Sequence, residues 1–177
     1  MKKNKISKNW VNKQRRDIYV RQSKVDGYRA RSAYKLIELD EKFKIFKGGI
    51  NVIDIGAAPG SWSQYASKVI KNGKLISIDL KPMDKIEHTI QIKGDFTELS
   101  TKNQIKEILT KKIDVIMSDM AVNTTGIKNI DAIQTGELCI EAMLFSKDII
   151  SEKGFFISII FMGSSFNEIV SLVKIIY

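Results

Sequence analysis

Two hydrophobic patterns alternate along the chain from about residue 50 onward. Short runs rich in β-branched residues recur, and each is followed by a stretch in which apolar residues return every three or four positions. The first pattern predicts buried strands and the second predicts amphipathic helices. We expect strands at 51–57, 74–80, 89–95, 114–120 and 154–161, and helices at 61–70, 102–110, 131–150 and 165–175.

This alternation predicts an α/β fold with a mostly parallel sheet and helices on both faces, because strands buried on both faces read as continuous apolar runs. An earlier helix is expected from Ser32, where apolar residues follow helical spacing until Gly48 and Gly49. Sheets of this kind bind ligands at the carboxyl ends of their strands. Residues at the strand ends are therefore the first candidates for a functional site.

Charge is concentrated at the start of the chain. The net charge is +9, yet the first 35 residues hold twelve Lys and Arg against two acids, whereas the remainder holds 17 against 18. A basic segment on a near-neutral body favours a polyanion partner, and Trp10, Tyr19, Tyr28 and Tyr34 could stack on unpaired bases. We interpret residues 1–30 as a basic, partly mobile RNA-binding arm before a domain at 31–177. A solvated tail is the alternative.

Several classes of protein are disfavoured by composition. No apolar run approaches the roughly 20 residues that span a bilayer, and the charged N-terminus lacks the apolar region of a signal peptide. Cys139 is the single cysteine, which excludes an internal disulfide and fits the cytoplasm. With one His as well, no metal site is expected. We expect a cytoplasmic monomer of one domain, without membrane contact.

The strongest local signal is the segment DIGAAPGSW at 54–62, where a predicted strand turns into a predicted helix. Small residues let a ligand approach the backbone and leave the N–H groups of the helix N-terminus free to bind it. The spacing is not the G-x-G-x-x-G of dinucleotide-binding folds, which argues against a nicotinamide oxidoreductase. Alone, the segment would also fit an ordinary tight turn.

Acidic residues end the next three strands. Asp79 lies about 20 residues beyond the turn, where a carboxylate can accept hydrogen bonds from both hydroxyls of a ribose. Asp95 ends the third strand, where it could accept from an adenine amino group, and Asp119 ends the fourth. One such residue alone would be read as a helix cap or turn. Together with the small-residue turn, they predict a bound adenosine nucleoside.

These segments carry a specific resemblance. GAAPGSW, IDLKPMD (78–84), KGDF (93–96) and MSDMA (117–121), preceded by DGYRARSAYKL (26–36), resemble the RrmJ/FtsJ family of ribose 2′-O-methyltransferases. The resemblance implies a Rossmann-like fold, S-adenosylmethionine as cofactor, and methylation of a uridine ribose in large-subunit ribosomal RNA. It implies that the cofactor is bound by Gly56, Gly60, Trp62, Asp79, Asp95 and Asp119. Ser61 stands where the family more often has Gly, and we expect it to be tolerated.

The same resemblance implies Lys35 and Asp119 as catalytic residues, two of the family's Lys-Asp-Lys-Glu set. Ile159 occupies the position of the second lysine, the family's proton acceptor, and the Glu belongs to a later strand than those before Tyr177. We therefore expect a sheet that lacks its last two strands. The hypothesis is that cofactor binding survives while catalysis is impaired, unless Ser158 or Lys35 substitutes for the base. The alternative function is a catalytically impaired RNA-binding remnant.

Overall fold

Five parallel strands form the centre of the molecule. The computed structural model describes residues 17–120, 125–161, 163 and 166–176. In chain order the elements are α1 (Ile18–Val25), α2 (Ala33–Phe43), β1 (Asn51–Ile55), α3 (Ser61–Ile70), β2 (Lys74–Asp79), β3 (Thr89–Lys93), α4 (Leu99–Ile108), β4 (Ile113–Ser118), α5 (Lys128–Ile149), β5 (Ile150–Ser158) and α6 (Phe166–Ile176). The strands pair in the order β3-β2-β1-β4-β5, and every pair is parallel.

Helices cover both faces of the sheet, as the hydrophobic pattern predicts. Successive residues of β1 point to opposite faces, so Val52 joins a buried cluster with Leu36 and Trp62, on the side of α2 and α3. Ile53 joins the other cluster, which includes Phe145 of α5. Because β1 is covered on both faces, its middle is fully buried.

The strand order places the candidate site. All five strands run in the same direction, so their carboxyl ends share one edge. The chain proceeds from β1 to β2 and β3 on one side, then crosses back to β4 on the other side of β1. Ligands of open α/β sheets bind in the crevice where this reversal occurs. The turn after β1 and the end of β4 meet at that crevice.

The predicted elements are confirmed, with informative differences at their ends. Helix α3 has the predicted bounds. Strands β1 and β3 end two residues early, because the predicted tails, 56–57 and 94–95, belong to the turns of the site. Strand β5 begins at Ile150, four residues before the prediction, with a shift of register between its pairing at Ile113 and at Val115. Polar residues at 151–153 mask this first part of β5 in the hydrophobic pattern.

Helix α1 lies in the predicted basic arm and was not expected. Its first turn is capped by Asp17, whose side chain accepts a hydrogen bond of 3.0 Å from the backbone N–H of Tyr19. Ile18 and Val25 are both more than three-quarters exposed, so the helix lacks the buried apolar stripe on which the prediction relied. Residues 1–16 of the arm lie outside the described residues.

Strand β5 forms one edge of the sheet. The described residues contain five strands, two fewer than we assign to a complete sheet of this class. Phe155 on β5 is 41% exposed, in contrast to the buried side chains of β1. Helix α6 follows β5 and packs against α5, with Ile169 buried.

Candidate active site

The turn after β1 is held against β2. The backbone N–H groups of Gly56 and Ala57 both donate to the carbonyl of Ile78, at 2.9 and 3.0 Å. Gly56 has φ +77°, and a Cβ atom there would lie 2.5 Å from the Cγ atom of Met120. Only glycine fits this position, because any side chain would combine a left-handed backbone with a clash. The turn therefore approaches the end of β4 as closely as its backbone allows.

Asp79 fixes the other side of the turn. Its Oδ2 atom accepts from the N–H of Ala58 at 2.9 Å, and its Oδ1 atom accepts from the N–H of Lys81 at 2.7 Å. A carboxylate offers about four acceptor positions, so these two bonds leave capacity for both hydroxyls of a ribose. The residue that orders the turn is thus also suited to bind the ligand.

Asp95 is held in a similar way after β3. Its Oδ1 atom accepts from the N–H and the hydroxyl of Thr97, at 2.9 and 2.7 Å. These hydrogen bonds keep the pKa of Asp95 below its ordinary value, so the group is ionised at neutral pH. Because both bonds use one oxygen, Oδ2 retains its capacity to accept from an adenine amino group.

A cavity of about 650 Å³ lies between these groups, within the size range of small-molecule sites. Four of the six residues predicted to bind the cofactor line it: Gly56, Asp79, Asp95 and Asp119. The side chains of Ile78, Phe96 and Leu138 add apolar surface. The arrangement suits a ligand with a flat apolar ring, a hydroxylated sugar and a positive charge.

The other two predicted cofactor residues lie behind this lining. Trp62 is 2% exposed, and its indole N–H donates to the carbonyl of Ser32 at 2.8 Å, which joins α3 to the start of α2. Gly60 precedes α3 with φ +104° and lies beside the side chain of Arg29. Both residues shape the turn, and direct contact with a cofactor stays a prediction for them.

Lys35 and Asp119, the two predicted catalytic residues, interact electrostatically although they are far apart in sequence. Asp119 follows β4 and lines the cavity. Burial raises the pKa of Asp119, and the positive charge of Lys35 offsets part of that rise. Lys35 itself is exposed on α2. The cavity therefore contains a carboxylate, Asp119, whose ionised form is favoured by the positive charge of Lys35.

Ile159 directly follows β5 and lies next to the end of β4 that carries Asp119. Ser118 pairs with Ser158, and the N–H of Ile159 donates to the carbonyl of Ser118 at 3.1 Å. The side chain of Ile159 packs against the cluster that contains Leu36, on the α2 face of the sheet. The structure thus sets an apolar group where the resemblance places a lysine. Ser158 is hydrogen-bonded to the thiol of Cys139 on the α5 face, away from Lys35.

Asp54 is a buried acid that the sequence analysis did not single out. Its Oδ2 atom accepts from the hydroxyl of Ser63 at 2.6 Å, and that hydroxyl lies 2.6 Å from the hydroxyl of Ser77. Its Oδ1 atom has no hydrogen-bond partner among the described residues. Burial raises the pKa of Asp54 to about 7, and the charges of Asp119 and Asp79 add to the rise. The signal in the sequence that could have identified Asp54 is a carboxylate inside an otherwise apolar strand.

Fold and site together define a class of protein. A parallel sheet with a small-residue turn after β1 and carboxylates after β2, β3 and β4 is the frame of a Rossmann-like, S-adenosylmethionine-dependent methyltransferase. The model of the FtsJ-like methyltransferases matches residues 28–177. The chain belongs to the FtsJ-like methyltransferase family.

Similar proteins agree with this membership. The chain is 71% identical over 174 residues to the ribosomal RNA large subunit methyltransferase E of Pelagibacter ubique (98% of this chain, 86% of that protein). It is 44% identical to the protein of the same name from Rickettsia akari (95% of this chain, 77% of that protein). A crystal structure described as a ribosomal RNA methyltransferase from Plasmodium falciparum has a TM-score of 0.76 at 38% identity (83% of this chain, 86% of that chain).

The predicted family, fold class, enzyme class and cofactor are confirmed by these comparisons. The residues of the cavity fit S-adenosylmethionine: two ionisable strand-end carboxylates have free acceptor capacity, and a Cβ on Gly56 would fill the space where the turn meets Met120. No group of three side chains within the described ranges could hold a metal ion. Nor is any described helix long and apolar enough to cross a membrane.

Proposed function

We propose that the chain transfers a methyl group from S-adenosylmethionine to the 2′-hydroxyl of a uridine ribose in large-subunit ribosomal RNA. The relatives from Pelagibacter and Rickettsia are named for methylation of that RNA and share most of their length with this chain. The observation that carries the proposal is the cavity lined by Asp79, Asp95 and Asp119, with the positive charge of Lys35 acting on Asp119.

The proposal gives each carboxylate of the cavity a role. Asp79 accepts from the ribose hydroxyls of the cofactor, and Asp95 accepts from its adenine amino group. S-adenosylmethionine, when bound, supplies a methyl group on a positively charged sulfur, which is a good leaving group. Asp119, which lines the cavity after β4, would face the acceptor hydroxyl, and its carboxylate would stabilise the positive charge of the sulfonium.

A ribose hydroxyl is a poor nucleophile at neutral pH, so the protein must orient it and assist the loss of its proton. Orientation alone can supply much of the acceleration. Lys35 and Asp119 hold the 2′-oxygen in line with the methyl group by hydrogen bonds from the amine and to the carboxylate. The proton of the hydroxyl would pass along its hydrogen bond to the carboxylate of Asp119, whose pKa is raised by burial. The oxygen would then take the methyl group that S-adenosylmethionine would supply, with the neutral thioether as the leaving group. Ile159 offers no group to receive that proton.

The basic arm at residues 1–30 is proposed to hold the RNA, in the cytoplasm, with the chain acting as a monomer on the large subunit. The aromatic rings near the N-terminus are less available for stacking on bases than the sequence suggests. Tyr34 packs against Tyr19 and Tyr28, with ring centroids 5.3 and 6.0 Å apart. Of the three, only Tyr19 is half exposed, and it is the described ring best placed to stack on a base.

A catalytically impaired remnant is the second candidate, and Ile159 beside Asp119 is the observation in its favour. The comparisons do not favour it, because the similar proteins are named as methyltransferases.

The test is transfer of labelled methyl from S-adenosylmethionine to unmethylated large ribosomal subunits, with naked ribosomal RNA in parallel. We expect one 2′-O-methylated uridine per subunit. Asp119→Asn should abolish the transfer, whereas Asp148→Asn, at the exposed end of α5, should not. Bound cofactor without any transfer would favour the remnant, and label on a base would contradict the proposed acceptor.

A further inference from the structure

Arg29 joins three segments of the chain through backbone carbonyls. Its Nη1 atom donates to the carbonyls of Pro59 and Asp84, at 3.1 and 3.0 Å. Its Nη2 atom donates to the carbonyl of Lys85 at 3.1 Å. The first acceptor belongs to the turn after β1, and the other two belong to the loop between β2 and β3. One guanidinium therefore ties the segment before α2 to two sides of the cofactor site.

The neighbours of Arg29 strengthen this connection. Gln64 on α3 accepts from the backbone N–H of Arg29 at 2.8 Å and donates to the carbonyl of Gly27 at 3.3 Å. The hydroxyls of Ser32 and Ser61 lie 2.7 Å apart, and Trp62 donates to the carbonyl of Ser32. We call Gly27, Arg29 and Ser32, with their bonds to residues 59–64, the clasp. It joins the start of α2 to the start of α3.

The path of the turn depends on the side chain of Arg29. A Cβ atom on Gly60 would lie 2.6 Å from Nη1 of Arg29 and 2.9 Å from Cδ1 of Ile86. The guanidinium therefore packs directly on the glycine at the end of the turn. Other residues of the same turn, Gly56 and Ala58, line the cavity.

We infer that Arg29 is a positioning residue for methyl transfer: it sets the place of the cofactor turn relative to α2, which carries Lys35. This inference rests on the proposed function. On one side of the clasp, α2 continues to Lys35, six residues after Arg29. On the other side, the clasp holds the turn whose backbone lines the cavity. A shift of about 1 Å between reacting groups can cost on the order of a hundredfold in rate. A contact that fixes this distance therefore affects turnover without touching either reactant.

The guanidinium is suited to this task in a way that an ammonium is not. Arginine presents five donors in a rigid planar fork, whereas lysine has one compact charge on a flexible stem. Arg29→Lys keeps the positive charge but cannot reach three carbonyls with the same geometry. Arg31→Lys is the matched control, because Arg31 is two residues away and forms an exposed ion pair with Asp17.

The experiment compares Arg29→Lys with Arg31→Lys by calorimetric titration of S-adenosylmethionine and by steady-state methylation of large ribosomal subunits. For Arg29→Lys we expect roughly a tenfold weaker cofactor Kd and roughly a tenfold lower kcat, with the KM for the subunit within about twofold. Arg31→Lys should change neither the Kd nor the kcat by more than about twofold.

Equal Kd and kcat in the two variants would overturn the inference, as would a lower melting temperature for Arg29→Lys with unchanged Kd and kcat. If Arg29→Lys does not fold, Gln64→Ala replaces it, since it removes two bonds of the clasp without a change in charge. Wild-type chain that binds cofactor but transfers no methyl would contradict the proposed function. The calorimetric comparison would still decide the role of Arg29 in that case.

Discussion

The two halves of the site differ in how they are built. The cofactor half comprises β1, β2 and β3 with the turns that follow them, and its carboxylates Asp79 and Asp95 are held by N–H groups within a few residues or in the turn after the adjacent strand. The acceptor half comprises β4, β5 and Lys35. There, Asp119 interacts with a lysine from a distant helix and lies beside Ile159.

The number of local hydrogen bonds in each half indicates how well its function tolerates substitution. In the cofactor half, separate hydrogen bonds order Asp79 and Asp95, so the loss of one carboxylate leaves the other in place. In the acceptor half, Lys35 acts on Asp119 electrostatically from a helix that is distant in sequence. We therefore expect cofactor binding to tolerate substitutions better than the methyl-transfer step does.

Lys35→Ala should strongly lower the rate of methyl transfer, which depends on the acceptor half. We expect methyl transfer to fall by about a hundredfold or more, the usual scale for a group that assists a proton transfer. The Kd for S-adenosylmethionine should stay unchanged, because Lys35 is not among the residues that line the cavity. Single-turnover transfer checks this, with Lys42→Ala as a control on the same helix. Equal rates for the two variants would remove Lys35 from the mechanism.

Asp79→Asn should damage the cofactor half. The amide offers one acceptor oxygen in place of two, so the ribose loses a charged partner and the turn loses one of its bonds. We expect the cofactor Kd to rise roughly 10- to 100-fold, the range for hydrogen bonds to a charged group. Calorimetry measures it, and Asp84→Asn in the following loop is the control. An unchanged Kd would show that Asp79 serves the turn alone.

Ile159→Lys should strengthen the acceptor half by adding a group that can accept a proton. The new amine would extend from the residue after β5, on the face that holds Leu36 and next to the end of β4 that carries Asp119. We expect transfer to rise roughly tenfold, within the range for an added general base. Ile160→Lys provides the control, because it adds the same positive charge one residue further from the end of β5. No gain over that control would mean that Lys35 already suffices.

The buried acid of the cofactor half predicts a pH effect on stability. Since the folded chain keeps the pKa of Asp54 at about 7, against 3.8 ordinarily, the folded state holds a proton that the unfolded state releases between these values. The stabilising contribution is therefore complete below the lower value and is lost as pH rises through about 7. Asp54→Asn should remove this dependence.

Thermal melts without cofactor at about pH 5 and about pH 8 measure the effect of Asp54. The loss in Tm between the two should be several degrees larger for the wild-type chain than for Asp54→Asn. A constant offset from the buried amide cancels in this comparison. Parallel losses in both proteins would show that Asp54 is ionised throughout.

The smallest expected effect concerns Ser61. Ser61→Ala leaves the hydroxyl of Ser32 without its partner, which should lower the free energy of unfolding by about 1 kcal/mol. The Tm should fall by about 2–4 °C, with little change in cofactor Kd. Ser67→Ala, which removes a hydroxyl bonded within α3, is the control. A large rise in Kd instead would assign Ser61 to the cofactor site.

Much of the cofactor half could be predicted from the sequence because its chemistry is local. Asp79 and Asp95 stand at the ends of apolar runs, and parallel strands bring such ends to one edge. The pairing of Lys35 with Asp119 rested on a family resemblance, because no pattern within one segment reports which helix packs beside a given strand.

Arg29 could not be found in the same way. Its acceptors are carbonyls, which every residue carries, so the sequence does not mark Pro59, Asp84 or Lys85 as its partners. Among twelve basic residues near the N-terminus, nothing distinguished it. Asp54 was missed for the opposite reason, since its strand was read only for its apolar neighbours. Helix α1 escaped because its apolar side chains face solvent.

The clasp also has a consequence for modularity. The family match begins at residue 28, within the clasp and after the first half of the basic segment. Because residues 27–32 are bonded to the turn and to α3, they are structurally part of the domain that contains the sheet and not of the segment that precedes them. Recombination between relatives, or a graft that retargets the protein to a different RNA, should therefore place its junction before Gly27. A junction three residues later would replace Gly27, Tyr28 and Arg29, and any residue other than arginine at position 29 would lack the three-carbonyl contact that holds the turn.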